Sequence, residues 1–351
     1  MARGFDIVNA SGSTEKAPQL LYFEDFKPGA RMRYGAYAVT EAEILAFARE
    51  FDPQPFHVNI ATPGGLIASG WHTCAMMMRM TCDGFMLNSS SVGAPGVDEC
   101  EWLKPVRPGM VLSIDLDIVG ARVSRSRPDI GLTQVVFNIV DQTGDLLMRQ
   151  RNWTMFSRRD PSAPFPNDET PAPARRTLPP EPPAFDDPPI NATRFSTVYE
   201  DVVVGARVAL GSHEFRREDM LRFARAYDPQ PFHLDNAAAA QSHFGKLAAS
   251  GWHTAAAYMK CFIETRDLMR AEARARGVEG AAGRPSPGFN DLRWIRPVFV
   301  GDVISFETTI TGKRPSSKPG YGKLFTRARG HDAAGGLVFE SHGAALARMR
   351  G

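Results

Sequence analysis

Two hydrophobic patterns recur along this chain, and each is present twice. Apolar and polar residues alternate at 111–119 and again at 303–310, which predicts strands with one buried face. Mainly apolar stretches rich in Ala or Met begin at Ser69 and at Ser250, and each predicts a buried helix. One long buried helix with several consecutive antiparallel strands predicts the α+β class, with a sheet wrapped around the helix.

A shorter helix is predicted ahead of a proline-rich loop. Thr40 and Glu43 form a capping-box pattern, and the apolar residues of 44–48 then follow a helical period. The Asp-Pro step at 52–53 ends this helix, because the residue before a proline disfavours the helical conformation. The helix therefore leads the chain directly into the loop at 52–57.

The chain contains two copies of one unit. Three motifs occur in the same order in both copies: Gly-Ala-Arg at 29–31 and 205–207, Asp-Pro-Gln-Pro-Phe-His at 52–57 and 228–233, and Ala-Ser-Gly-Trp-His-Thr at 68–73 and 249–254. The second copy has five more residues between the two hexapeptides than the first copy has. Two identical hexapeptides in the same order indicate a duplication followed by fusion.

A proline-rich segment separates the two copies. Eleven of the 27 prolines lie between residues 161 and 189, and such a composition stays extended because it has little apolar surface to bury. We therefore predict four regions: a flexible N-terminal tail at 1–19, a first repeat at 20–158, a linker at 159–194 and a second repeat at 195–351.

Length and charge narrow the functional classes. A chain of 351 residues suits two domains, in agreement with the repeat. Its 41 Lys and Arg residues against 39 Asp and Glu residues leave a net charge of +2, with no excess to neutralise a run of phosphates. We therefore expect no nucleic-acid partner. No apolar stretch reaches the ~20 residues that a membrane span needs, so we expect no membrane association.

The N-terminus and the cysteines indicate the compartment. Residues 1–19 are polar and show neither an apolar signal segment nor a small-residue cleavage site. The 4 cysteines are unevenly spaced, with no CxxC pair and no histidine spacing typical of zinc. We expect a cytoplasmic protein with reduced thiols and without a metal ion.

The loop and the helix that follows it carry a family resemblance. The pattern Asp-x-Gln-Pro-x-His, a gap, and then Ser-Gly at the start of an apolar helix resembles the MaoC-like, or hydratase 2, branch of the hotdog-fold enzymes. The resemblance covers both repeats and implies a fused double hotdog that adds water to, or removes it from, an acyl thioester. It implies catalytic residues in both copies, namely Asp52, His57 and Gly70 in the first and Asp228, His233 and Gly251 in the second.

These residue types fit the chemistry of hydration. Adding water to a 2-enoyl thioester needs a water activated for attack at C3, a proton for C2 and a stabilised enolate oxygen. A histidine exchanges protons near neutrality, and burial can raise the pKa of an aspartate towards that range. We expect the histidine to act mainly as the base and the aspartate mainly as the acid. The resemblance implies that the glycine N–H at the helix N-terminus binds the thioester oxygen, and the missing side chain would let the thioester approach.

Further residues near these motifs are candidates for substrate contacts. Gln230 and Ser250 lie within the motifs of the second copy, where the family more often has Asn in place of the Gln. Arg293 and Arg296 flank Trp294 and could meet the phosphates of a coenzyme A moiety. A solvated strand face is an equal alternative for the two arginines.

The two copies differ where the second has its five extra residues. A shorter loop can bring different walls to the first pocket or close it, so we expect the second site to be the working one. The first copy is then either a second active site or a scaffold that lines the acyl tunnel. His72 and His253, near the start of the predicted central helices, are interpreted as hydrogen-bonded core histidines.

The resemblance therefore implies an (R)-specific 2-enoyl-CoA hydratase, or 3-hydroxyacyl-CoA dehydratase, that needs no cofactor. Its substrate would be carried by coenzyme A or by acyl carrier protein, and the double hotdog would act as a monomer or as a homodimer. Three alternatives stay open: a hydratase of branched or dicarboxylic enoyl-CoA, a catalytically idle acyl-thioester-binding or scaffolding protein, and a thioesterase.

Overall fold

The computed structural model of the chain describes residues 6–8, 14–16, 20–165, 198–275, 277 and 286–350. We refer to 20–165 as the first half and to 198–350 as the second half. Most of the predicted linker, residues 166–194, lies outside the described residues. None of the helices found in these ranges combines the length and the apolar character that crossing a membrane requires.

The first half is built around one central helix, α3. The strands from residue 6 to the end of the first half are β1 (Asp6–Val8), β2 (Thr14–Lys16), β3 (Arg31–Ala38), β4 (Ser91–Gly93), β5 (Gly96–Trp102), β6 (Val111–Val123), β7 (Ile130–Val140) and β8 (Leu146–Ser157). The helices are α1 (Glu41–Phe51), α2 (Pro55–Val58) and α3 (Gly70–Gly84). The alternation at 111–119 falls within β6, and the buried stretch after Ser69 forms α3, so both predictions are confirmed.

The second half repeats this arrangement around its own central helix, α7. Its strands are β9 (Arg207–Glu214), β10 (Gly288–Trp294), β11 (Val303–Pro315), β12 (Tyr321–His331) and β13 (Leu337–Arg348). Its helices are α4 (Arg217–Tyr227), α5 (Pro231–Leu234), α6 (Asn236–Gln241) and α7 (Gly251–Ala275). The additional helix α6 lies where the second copy has its extra residues. The central helix is also longer, with 25 residues against 15 in α3.

All these strands belong to one antiparallel sheet. Their order is β2-β1-β3-β6-β7-β8-β5-β10-β13-β12-β11-β9, and β4 pairs with β8. The two halves meet where β5 pairs with β10, with Val97 opposite Leu292. One hydrophobic cluster contains buried residues of both halves, and Phe289 of β10 stacks on Trp71 of α3 with ring centroids 4.8 Å apart. The α+β prediction is confirmed, and the two repeats share one sheet and one core.

Two short strands lie within the segment predicted to be a flexible tail. Ile7 of β1 lies opposite Met32 of β3, and β2 pairs with β1. The described parts of this segment therefore extend the sheet, and the prediction of a tail is wrong for them. Strands of three residues are too short to show alternation, so the hydrophobic pattern did not reveal them.

The predicted short helix is α1, and it delivers the aspartate of the hexapeptide. The Thr40 side chain accepts a hydrogen bond from the N–H of Glu43, as the capping-box pattern predicts. The helix ends at Phe51, and Asp52 follows in a non-helical conformation. In the second half α4 ends in the same way, directly before Asp228. Both halves therefore present an aspartate one residue beyond the end of a helix.

Candidate active sites

The first hexapeptide brings its aspartate and its histidine face to face. Pro55 occupies the first position of α2, where its missing N–H leaves no hydrogen bond unmade. This one-turn helix carries His57 back towards Asp52, so that His57 Nε2 lies 3.4 Å from Asp52 Oδ2. The two residues are only 4% and 2% exposed. We call this pair and its neighbours the first site.

The hydrogen bond on the far side of the imidazole sets its tautomer. His57 Nδ1 lies 2.8 Å from the carbonyl oxygen of Ile67. A carbonyl can only accept, so Nδ1 carries the proton in the neutral ring and Nε2 is the nitrogen that can take or release one. The basic nitrogen therefore points at the carboxyl group, and one proton can pass between them.

Gln54 and Ser69 hold the aspartate in this position. Asp52 Oδ1 accepts from Gln54 Nε2 at 2.9 Å, and Oδ2 accepts from Ser69 Oγ at 2.6 Å. The Ser69 oxygen in turn accepts from the N–H of Trp71 at 3.3 Å, in the first turn of α3. The carboxyl group is thereby fixed to the start of the central helix.

The second site repeats this geometry. His233 Nε2 lies 3.4 Å from Asp228 Oδ2, and His233 Nδ1 lies 2.8 Å from the carbonyl oxygen of Ala248. Gln230 Nε2 and Ser250 Oγ donate to the carboxylate at 2.9 and 2.6 Å. Gln230 and Ser250, which the sequence suggested as substrate contacts, therefore orient the aspartate. The geometry of the pairs supplies no reason to prefer the second site over the first.

A glycine opens each central helix because an aromatic ring occupies the space of its side chain. A Cβ at Gly70 would lie 2.3 Å from the Trp102 ring, and one at Gly251 would lie 2.4 Å from the Trp294 ring. The glycine is therefore also needed to leave room for the indole ring, a reason that the sequence did not reveal. Both N–H groups are in a first helical turn, where no intrahelical acceptor exists and the dipole favours negative charge. The indole of Trp294 also donates to the carbonyl oxygen of Gly251 at 2.8 Å.

Each site opens into a cavity whose far wall comes from the other half. The first cavity, about 1330 Å³, combines the first site with Tyr258, Met259 and Phe262 of α7 and with inward residues of β12 and β13. The second cavity, about 380 Å³, combines the second site with Met77 and Met78 of α3 and with inward residues of β7 and β8. The shorter loop of the first copy does not close its pocket, which is the larger one.

The two sites also differ in the group that the other half places beside them. Arg266 of α7 is 8% exposed, and its guanidinium donates to Gln54 Oε1 at 2.6 Å. In the second site the buried thiol of Cys82 in α3 donates to Asp228 Oδ1 at 3.6 Å. Burial raises the pKa of the Cys82 thiol well above its usual range, so it stays neutral. A cation therefore neighbours the first site and a neutral thiol neighbours the second.

Burial and this cation act on the base of the first site. Burial lowers the pKa of His57 below its ordinary value, the Asp52 carboxylate opposes this, and Arg266 lowers the pKa further. A lowered pKa keeps the imidazole neutral at neutral pH, which is the form that accepts a proton. Arg266 could not be recognised from the sequence. It lies in α7 beyond the repeated motifs, and its counterpart in the first copy is Phe85, so no charged residue recurs at this position.

The two predicted arginines are placed differently. The Arg293 guanidinium pairs with Asp98 at 3.3 Å and with Asp291 at 3.1 Å, and it is not among the residues that line either cavity. Its position therefore gives no support to a phosphate contact, because its charge is already matched across the sheet. Arg296 does line the second cavity, and it pairs with Asp332 at 3.0 Å.

The histidines of the central helices are core residues that stack on aromatic rings. His72 lies on Phe47 with ring centroids 4.5 Å apart, and His253 lies on Phe223 at 4.7 Å. Their Nδ1 atoms have no hydrogen-bond partner among the described residues, so the expectation of hydrogen-bonded core histidines is only partly met. Burial lowers the pKa of His253 to about 3, which keeps it neutral.

Within the ranges that the structure describes, no group of three His, Cys, Asp or Glu side chains is arranged to hold a metal ion. The polar groups that meet at each Asp–His pair are an aspartate, a histidine, an amide, a hydroxyl and a helix N-terminus. This set can bind water and move protons next to a developing negative charge.

Comparison with known proteins bears on both halves. A sequence model of the MaoC-like domain matches residues 25–136 and again residues 200–327. The uncharacterised protein YdeM of Bacillus subtilis is 26% identical over 116 residues, which cover 33% of this chain and 74% of that protein.

Two solved structures resemble the whole chain. A putative MaoC domain dehydratase from Chloroflexus aurantiacus is 18% identical, with a TM-score of 0.74, and the match covers 96% of this chain and 100% of that one. Rv0216 from Mycobacterium tuberculosis, which has a double hotdog fold, is 15% identical, with a TM-score of 0.61 and coverage of 93% and 98%. At these identities the likeness establishes the fold, a double hotdog formed by one chain.

Proposed function

The chain belongs to the MaoC-like domain family, and we propose that it catalyses the reversible hydration of 2-enoyl thioesters to (R)-3-hydroxyacyl thioesters at two sites. Family membership supports a hydro-lyase in general terms. The observation that carries the proposal is the buried Asp–His pair beside a helix N-terminus, present with the same distances in both halves.

The proposed mechanism gives each group one step. A water bound between the two side chains gives a proton to His57 Nε2 as its oxygen bonds to C3 of the substrate. The thioester oxygen gains negative charge and accepts from the N–H of Gly70, while protonated Asp52 delivers its proton to C2. The proton on His57 then returns to Asp52 across the 3.4 Å between them, which restores the starting state. His233, Asp228 and Gly251 act in the same way.

The carrier of the acyl group is proposed to be coenzyme A or acyl carrier protein. Arg107, Arg314 and Lys323 line the first cavity, and their positive charges suit the phosphates that both carriers contain. We propose that one chain, alone or as a homodimer, is the functional unit, because fusion already supplies both hotdogs. A cytoplasmic location remains part of this proposal.

An idle binding or scaffolding protein is the alternative class. Such a protein has no need to place a basic nitrogen against a buried carboxyl group, because a buried ionisable pair tends to cost stability. This chain retains the pair twice, together with the Gln and Ser that orient each carboxyl group. The geometry therefore favours catalysis.

The test follows the loss of enone absorbance when purified protein is added to 2-enoyl-CoA substrates of several lengths. We expect the wild type to turn over at least one of them, and we expect Asp52→Asn combined with Asp228→Asn to lose ~10²–10⁴-fold of that rate. Equal rates for the wild type and the double variant, with both proteins folded by circular dichroism, would refute the proposed mechanism.

A further inference from the structure

The wall of the second cavity carries a row of buried polar side chains. Gln150, Asn152 and Thr154 are alternate residues of β8 on its inward face, and all three line the cavity. They are 2%, 5% and 4% exposed. Gln150 Nε2 donates to Asn152 Oδ1 at 3.1 Å, and Asn152 Nδ2 donates to Thr154 Oγ1 at 3.2 Å. The donors of the two amides are thereby directed along the strand.

One hydrogen-bond acceptor of this row has no partner among the described residues. This acceptor is Gln150 Oε1, which is buried. A buried acceptor without a partner destabilises a fold, and nearly all such groups in folded proteins are paired. An unpaired acceptor in the wall of a substrate cavity is a candidate partner for a donor group of the ligand.

The first cavity lacks this row at the equivalent positions. Trp102 pairs with Met148 in the first half, and its counterpart Trp294 pairs with Phe339 in the second, which aligns β8 with β13. The residues that correspond to Gln150, Asn152 and Thr154 are therefore Ser341, Gly343 and Ala345, and all three line the first cavity. The contrast continues on the next strand, where Phe137 lies opposite Gln150 and Ala328 lies opposite Ser341.

We propose that the second site takes acyl thioesters that carry a hydrogen-bond donor on the acyl chain, a hydroxyl or an amide N–H, which donates to Gln150 Oε1. The wider first site takes long unsubstituted acyl chains, and a short unsubstituted chain enters either site. An amide oxygen only accepts, so Gln150 Oε1 repels a carboxylate at the same position. This assignment of substrate class rests on the proposed function of the two sites.

Binding of unreactive ligands tests the assignment separately from catalysis. Hexanoyl-CoA is compared by titration calorimetry with its analogues hydroxylated at C4, C5 or C6, on the wild type and on Gln150→Met. We expect at least one hydroxylated isomer to bind the wild type about tenfold more tightly than hexanoyl-CoA, and Gln150→Met to lose this difference. Because Gln150 lines the second cavity only, the change on substitution reports that cavity.

Two further variants control for folding and for position. Gln150→Ser introduces the residue of the equivalent position in the first cavity and should also lose the preference. Ser341→Ala removes a buried polar group from the other cavity and should keep it. Equal affinity for hexanoyl-CoA and all of its hydroxylated analogues, or a preference that survives both substitutions of Gln150, overturns the inference. If the preference depends on Gln150 but no enoyl-CoA is turned over, the proposed function fails and the binding assignment stands.

Discussion

The two sites of this chain share their catalytic geometry and differ in their walls. The Asp–His distance is 3.4 Å in both, and the bonds from Gln and Ser to the carboxylate have the same lengths. The cavities behind them measure about 1330 and 380 Å³. The pair is built by a hexapeptide within one half, whereas the wall comes from two strands and a helix of the other half. After duplication, the acyl pocket of one site can therefore change without moving its catalytic groups.

We expect the largest effect on turnover from adding a side chain to the glycine that begins each central helix. Gly251→Ala forces a Cβ against the Trp294 ring, which is tied to the same helix by its hydrogen bond to the Gly251 carbonyl. We expect turnover at the second site to fall by ~10²–10³-fold, because the oxyanion donor moves. The unfolding free energy should fall by ~1–3 kcal/mol. Crotonyl-CoA turnover in an Asp52→Asn background and thermal denaturation measure the two effects.

Gly70→Ala in an Asp228→Asn background is the matched variant. The Trp102 Nε1 atom has no hydrogen-bond partner among the described residues, so this ring is not tied to α3 and can shift more readily. We expect a smaller loss at the first site. A loss equal to or larger than that of Gly251→Ala would show that the indole hydrogen bond is unimportant.

Exchanging one wall residue should move the length preference from one site to the other. Ala328→Phe introduces the Phe137 ring of the second cavity into the first and should lower kcat/KM for 2-dodecenoyl-CoA at the first site by about tenfold. The reciprocal change Phe137→Ala should raise the same quantity at the second site. The assay uses Asp228→Asn and Asp52→Asn backgrounds, respectively. Unchanged values in both would mean that the sheet wall does not limit the acyl chain.

The smallest expected effect is on the pH profile of the first site. Arg266 lowers the pKa of His57, and His57 must be neutral to accept a proton. Arg266→Leu should therefore raise this pKa and move the acid limb of the kcat/KM profile to higher pH, by less than about one unit. Arg266→Lys keeps the charge and should leave the limb in place. The same shift in both variants would trace the effect to the lost contact with Gln54 rather than to charge.

The local parts of this account could be predicted from the sequence. The repeated hexapeptide, the helix that ends directly before Asp52 and the central helix that begins at Gly70 all follow from patterns within a few residues. The contacts between halves could not be predicted, because they depend on β5 pairing with β10. The contact of Arg266 with Gln54, the wall of the second cavity and the ion pair between Arg293 and Asp98 all arise across that junction.

The central claim, two working sites with different walls, is tested most directly by Asp52→Asn and Asp228→Asn, each assayed with crotonyl-CoA and 2-dodecenoyl-CoA. We predict that Asp52→Asn loses most of its turnover of the long substrate and keeps turnover of the short one. We predict that Asp228→Asn keeps turnover of the long substrate. A single substitution that abolishes turnover of both substrates, while the other has no effect on either, would show that only one site works and would contradict this account.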